Sequence, residues 1–109
     1  MVARRSFSAA TLTRLRELPA SAALALLATH VRLDPTYMPV KDDHSRRWHV
    51  STACGEFEIL TTGPKWYDTR AQSGGGGAID LAMHVLRLSF VDAVKHLTAE
   101  AGRRGPDRS

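Results

Sequence analysis

The chain has 109 residues, 43 % of them hydrophobic and 24 % charged, the balance of one folded domain and not of a disordered chain. Fifteen Lys and Arg against 11 Asp and Glu give a formal charge of +4, a mild excess that suits an acidic partner without requiring one. A single cysteine, Cys54, excludes an internal disulfide framework and any zinc site built on two thiolates. No apolar run nears the roughly 20 residues of a membrane-spanning helix. Met1-Val2-Ala3-Arg4-Arg5 leads into Ser6-Phe7-Ser8 and not into an apolar segment, so no signal peptide is expected and a cytoplasmic location is the default.

The charge is unevenly placed. Residues 1–50 carry eight Lys or Arg and four acids, whereas residues 51–109 carry seven of each. Arg46 and Arg47 stand beside Trp48 in the basic half.

In chain order, residues 1–7 form a basic, disordered N-terminus. Ser8 is placed to cap a helix over Ala9–Leu18, with Leu12, Leu15 and Leu18 on one face. Pro19 opens a second helix, Ala20 to about His30, which is apolar on nearly every side and so must pack on more than one face. Asp34-Pro35 marks a turn, and residues 41–45 a polar loop. The period then changes to two. Trp48, Val50 and Thr52 alternate with Arg47, His49 and Ser51, and Phe57, Ile59 and Thr61 alternate with Glu56, Glu58 and Leu60. With Cys54-Gly55 and Thr62-Gly63-Pro64 as tight connections and Lys65–Thr69 as a third strand, these make a three-stranded antiparallel meander. Ser73 and four glycines lead into a helix from Ala78 to Leu86, with Asp80 in its first turn. Ser89 starts a last helix carrying Phe90, Val94 and Leu97 on its apolar face, with Gly102 as its stop. The expected architecture is α+β: two N-terminal helices, the meander, and two C-terminal helices packed on one face of the sheet. The domain spans 8–101, and 102–109 is a polar tail or linker stub.

One stretch carries a resemblance. Lys65-Trp66-Tyr67, then Gly75-Gly76-Gly77-Ala78-Ile79-Asp80-Leu81, then Ser89-Phe90-Val91-Asp92-Ala93-Val94-Lys95-His96-Leu97 resembles the N-terminal zinc-binding domain of bacterial replicative primases and its relatives in plasmid, phage and conjugative elements. The order of elements matches over about residues 8–98. In that family a Cys-x-x-Cys pair stands between the tyrosine strand and the glycines. Here Thr69 and Gln72 occupy those places, and the first ligand pair is reduced to Cys54. The resemblance therefore implies the fold without the zinc, as in ligand-free relatives found beside Toprim-type or relaxase domains. His30, His44, His49 and His84 do not complete a four-ligand site with Cys54 at any recognisable spacing, so neither a metal nor any other cofactor is expected.

Trp66 and Tyr67 are adjacent on a strand and must point to opposite faces, one into the core and one outward. In the resembled domains the exposed sheet face is the one assigned to single-stranded template. An exposed ring flanked by Lys65 and Arg70 suits base stacking with phosphate contacts, and Arg46 and Arg47 would extend that face. The expected nucleic-acid-binding set is thus Arg46, Arg47, Lys65, Trp66, Tyr67 and Arg70. The glycines lack the Gly-Lys-Ser/Thr ending of a phosphate-binding loop and read as a turn from strand to closely packed helix. Asp80 has no partner carboxylate, and no nucleophile–base pair is visible, so no catalytic residue is expected. The sequence reading is a non-catalytic single-stranded DNA-binding module of a mobile-element replication or transfer system. The alternative is an adaptor that docks a primase, helicase or relaxase without touching nucleic acid.

Overall fold

The computed structural model describes residues 7–39 and 43–103. Helices α1 (Ala9–Glu17) and α2 (Ala20–Leu27) are followed by strands β1 (His30–Leu33), β2 (Arg46–Thr52), β3 (Gly55–Thr62), β4 (Lys65–Asp68) and β5 (Ser73–Gly75). Helices α3 (Ala78–Val85) and α4 (Phe90–Arg103) complete the order. Among the described residues the fold is α+β with four helices, as expected, but the sheet has five antiparallel strands in sequential order and not three.

The two extra strands lie at the edges. β1 begins at His30, the residue expected to end the second helix, which stops instead at Leu27. His30-Val31-Arg32-Leu33 is too short to show a period. It becomes a strand because Val31 lies opposite Val50 and Leu33 opposite Trp48. β5 is Ser73-Gly74-Gly75, which carries no side-chain pattern to read, yet it pairs with β4 at Trp66, Tyr67 and Asp68.

Those glycines are required by close approach. A Cβ on Gly74 would lie 2.6 Å from the Trp66 carbonyl oxygen, and one on Gly75 would lie 2.9 Å from the Trp66 ring. β5 thus presses its backbone onto the indole, in place of the loose turn expected from four glycines.

Local signals explain most of the rest. The Ser8 Oγ accepts the Thr11 amide at 3.0 Å, and the Ser89 Oγ accepts the Asp92 amide at 3.1 Å, capping α1 and α4. α4 runs through Gly102, which is not its stop. Two-residue loops join β2 to β3 and β3 to β4, the second with Gly63 at φ +57°, the positive φ that such hairpins demand. The Ala20 amide donates to the Gly63 carbonyl at 2.7 Å and fixes the start of α2 on that turn.

The core lies between one sheet face and the helices. Val50, Ile59, Thr61 and Trp66 are buried and share a face by register. Against them lie α2 through Leu24 and α3 through Ile79 and Leu81. α2 is buried on several sides, as its composition demands, by contact with α3, α4, β1 and β3. α4 packs mainly on α1, α2 and α3, so it forms a second helical layer and does not lie directly on the sheet as expected. Phe7, placed outside the domain by sequence, packs against the core, while the rest of the expected disordered N-terminus lies outside the described residues.

Gly75→Ala drives a methyl into the Trp66 ring and is expected to destabilise the fold by about 1–3 kcal/mol. Gly76 has open space around its Cβ position and no positive φ, so Gly76→Ala is expected to be close to neutral. Paired thermal melts of the two variants distinguish close packing from a loose glycine linker.

Candidate nucleic-acid interface

Strand parity decides what the sheet offers to a ligand. On β4, Trp66 and Asp68 are buried at 6 % and 2 % exposure, while Tyr67 between them is 43 % exposed. Trp66 is therefore a core residue and not part of an interface. Its indole N–H is buried without a hydrogen-bond partner among the described residues, and its ring lies against His84 with centroids 5.0 Å apart.

The face opposite the helices carries the alternate residues. Across the strands, Arg47 lies opposite Leu60 and Leu60 opposite Tyr67, which is opposite Gly74. Lys65 lies opposite Thr62 on the same face. Lys65 and Arg70 are exposed and have no ion-pair partner among the described residues. Lys65, Tyr67 and Arg70 thus stand as an exposed ring with a cation two residues before it and another three residues after.

The two arginines of β2 do not extend this set together. Arg46 has the opposite parity, facing with Thr61 and Trp66, and its Nη1 donates to the Asp43 and Ser45 carbonyls at 2.6 and 2.9 Å. Arg47 does share the open face, but its charge is already engaged. Its Nε lies 2.9 Å from Asp34 Oδ2 and 3.5 Å from Glu58 Oε2, and its guanidinium sits 5.2 Å from the Tyr37 ring centroid.

Sequence reasoning missed that cluster. Asp34 follows β1, and His49 and Glu58 are directly opposed on β2 and β3. The His49 Nε2 lies 3.1 Å from the same Asp34 Oδ2. The other Asp34 oxygen accepts from the Thr36 hydroxyl at 2.6 Å and the Thr36 amide at 2.9 Å. These two bonds, with those from His49 and Arg47, hold the Asp34 carboxyl far below the usual aspartate range against a smaller desolvation cost. The missing signal was the β1–β2 register, since the four residues spread over 34–58 share no short motif.

A second unexpected pair lies inside. The Asp68 Oδ2 meets the His84 Nε2 of α3 at 2.6 Å, and its Oδ1 accepts the Arg70 and Ala71 amides at 2.9 and 3.0 Å. Burial pushes the Asp68 carboxyl up, but the His84 hydrogen bond and charge and the two amides outweigh it, so its pKa is lowered. This pair ties β4, the 69–72 turn and α3 together. Thr69 and Gln72, which stand where the resembled family has cysteines, are engaged in that turn. The Thr69 Oγ1 donates to Glu58 Oε1 at 2.5 Å and the Gln72 amide donates to the Asp68 carbonyl. With Cys54 as the chain's one thiol, these residues do not fit the family's zinc.

No family model, curated protein or solved structure matches the chain. Among the described residues no helix is long and apolar enough to cross a membrane.

The Asp68 pKa is lowered from the ordinary 3.8, so its pair stabilises the fold fully above that value and the contribution is lost as pH falls through the folded pKa. Unfolding free energy is expected to fall below about pH 4. Asp68→Asn is expected to cost about 3 kcal/mol at neutral pH and to flatten part of that acid slope, Asp34 supplying the remainder. Urea melts across pH for the two proteins check both statements.

Proposed function

We propose that the chain is a non-catalytic single-stranded DNA-binding module, of the kind that serves replication or DNA transfer in mobile elements, and that it binds through the open sheet face around β4. The observation that supports this most directly is the 43 % exposed Tyr67 ring on the face opposite the helices, with exposed Lys65 two residues before it and exposed Arg70 three residues after, both without an ion-pair partner among the described residues. A single strand offers unstacked bases to an aromatic ring and phosphates to flanking cations, whereas duplex bases are hidden from such a ring. Leu60, next to Tyr67 across the strands, adds apolar surface for a sugar or base. The contact set is thus narrower than sequence suggested: Lys65, Tyr67 and Arg70, without Trp66 or Arg46, and with Arg47 restrained by its acids. The resemblance to primase N-terminal domains in the sequence points the same way, and the reading assigns no catalytic residue.

A second reading has its own observation. A groove of about 660 Å³ runs among α1, α2 and α4, lined by Leu15, Leu18, Pro19 and Leu26 together with Arg14 and Glu17. Such a surface suits a protein partner, and it favours an adaptor that docks a primase, helicase or relaxase.

Fluorescence anisotropy with a labelled single-stranded oligonucleotide separates the two. Tyr67→Ala is expected to weaken binding by roughly 5- to 150-fold, the range of one stacked base. Lys65→Ala and Arg70→Ala are each expected to lower the slope of log affinity against log salt by about 0.7, with unchanged thermal melts. No binding at low salt contradicts the reading and favours the adaptor.

A further inference from the structure

We propose that Asp34, His49 and Glu58 form a site for a divalent metal of the zinc class, which binds by displacing the Arg47 guanidinium. This inference does not rest on the nucleic-acid reading, and it departs from the sequence expectation of no metal. The three residues offer one imidazole nitrogen and two carboxylate oxygens, all within 4.8 Å of one another. This is a donor set that zinc accepts, with water filling the fourth position. With metal–ligand bonds of about 2.0–2.2 Å, neighbouring ligands of a tetrahedral zinc stand about 3.4 Å apart. The His49 Nε2 and Asp34 Oδ2 are already 3.1 Å apart.

Each carboxylate is also oriented by a group outside the set. Thr36 holds the Asp34 Oδ1 and leaves Oδ2 toward His49. Thr69 holds the Glu58 Oε1 and leaves Oε2 toward the same centre. Hydrogen bonds of this kind fix ligand geometry around metals. β2 and β3 carry His49 and Glu58 at the middle of the sheet, where the backbone is paired on both sides, and the side chains remain partly open to solvent.

What occupies the centre now is a cation. The Arg47 Nε lies between Asp34 Oδ2 and Glu58 Oε2. Two carboxylates against one guanidinium leave a formal negative charge uncompensated when His49 is neutral. A dication answers that charge better than Arg47 does, and Arg47 has an alternative seat, since its guanidinium already lies over Tyr37. His49 would bind through Nε2, its remaining proton on Nδ1. Arg32, opposite His49 on β1, adds positive charge at the rim and weakens the site without supplying a ligand.

The test is titration of the purified chain with Zn²⁺ by calorimetry and with Co²⁺ by visible absorption, up to about 1 mM metal. The expected result is one metal per chain, with cobalt absorption of the intensity of a tetrahedral N/O site and no thiolate charge-transfer band from Cys54. Binding is expected to be lost in His49→Gln and in Glu58→Gln, and to tighten by about tenfold or more in Arg47→Ala. Circular dichroism of each variant confirms folding, and His49→Gln and Glu58→Gln alter only the open face. Absence of binding by the wild-type chain, or binding that survives both His49→Gln and Glu58→Gln, overturns the proposal. Binding that does not change in Arg47→Ala overturns the displacement.

Discussion

The alternation of β4 governs the molecule. Four residues, Lys65-Trp66-Tyr67-Asp68, place two side chains in the core and two in solvent. Trp66 fills the space under β5, where only glycine backbone fits. Asp68 carries a charge into a nearly solvent-free position and is compensated there by His84 and two turn amides. A buried carboxylate without those partners would be strongly unfavourable, so the pair fixes how α3 sits on the sheet. A slip of one residue in β4 would bring Lys65 and Tyr67 inward and turn Trp66 and Asp68 out, which the core does not tolerate.

One consequence is a division of labour between the two sheet faces. The inner face is covered by α2 and α3. Among the described residues no helix covers the outer face, which carries a mixture of ring, cation and acid. Its charge is not uniform. Toward β1, Arg47 and His49 of β2 contact Asp34 and Glu58, while toward β4 Lys65, and Arg70 in the turn after it, have no ion-pair partner among the described residues. The half of the face near β4 therefore holds the free positive charge, and in the half near β1 an arginine, a histidine and two carboxylates engage one another.

Much of this was legible in the sequence, and the illegible parts have physical causes. The helix starts were announced by Ser8 and Ser89, whose hydroxyls cap as their position suggests. β2, β3 and β4 were announced by alternation over four to eight residues. β1 is four residues long, and β5 consists of Ser73 and two glycines, so neither offers a period. They are strands because of what they pair with. Sequence alternation required that Trp66 and Tyr67 part ways but did not say which turned inward. Cross-strand contact with Gly75 decides it. The same limit hid both polar clusters. Asp68 and His84 are separated by a turn, a strand and most of a helix, and Asp34 reaches His49 only through the β1–β2 register. Reading Arg46 and Arg47 as one basic patch failed for the simplest reason, that neighbours on a strand face opposite ways.

The most direct test of the account is a nuclear magnetic resonance titration of the isotope-labelled chain with a short single-stranded oligonucleotide. The account predicts amide and side-chain shifts confined to the outer face near β4, at Leu60, Lys65, Tyr67, Arg70 and Gly74, with the Trp66 indole resonance and the α1–α4 groove undisturbed. Shifts centred on Leu15, Leu18 and Leu26, or no shifts at low salt, would contradict it.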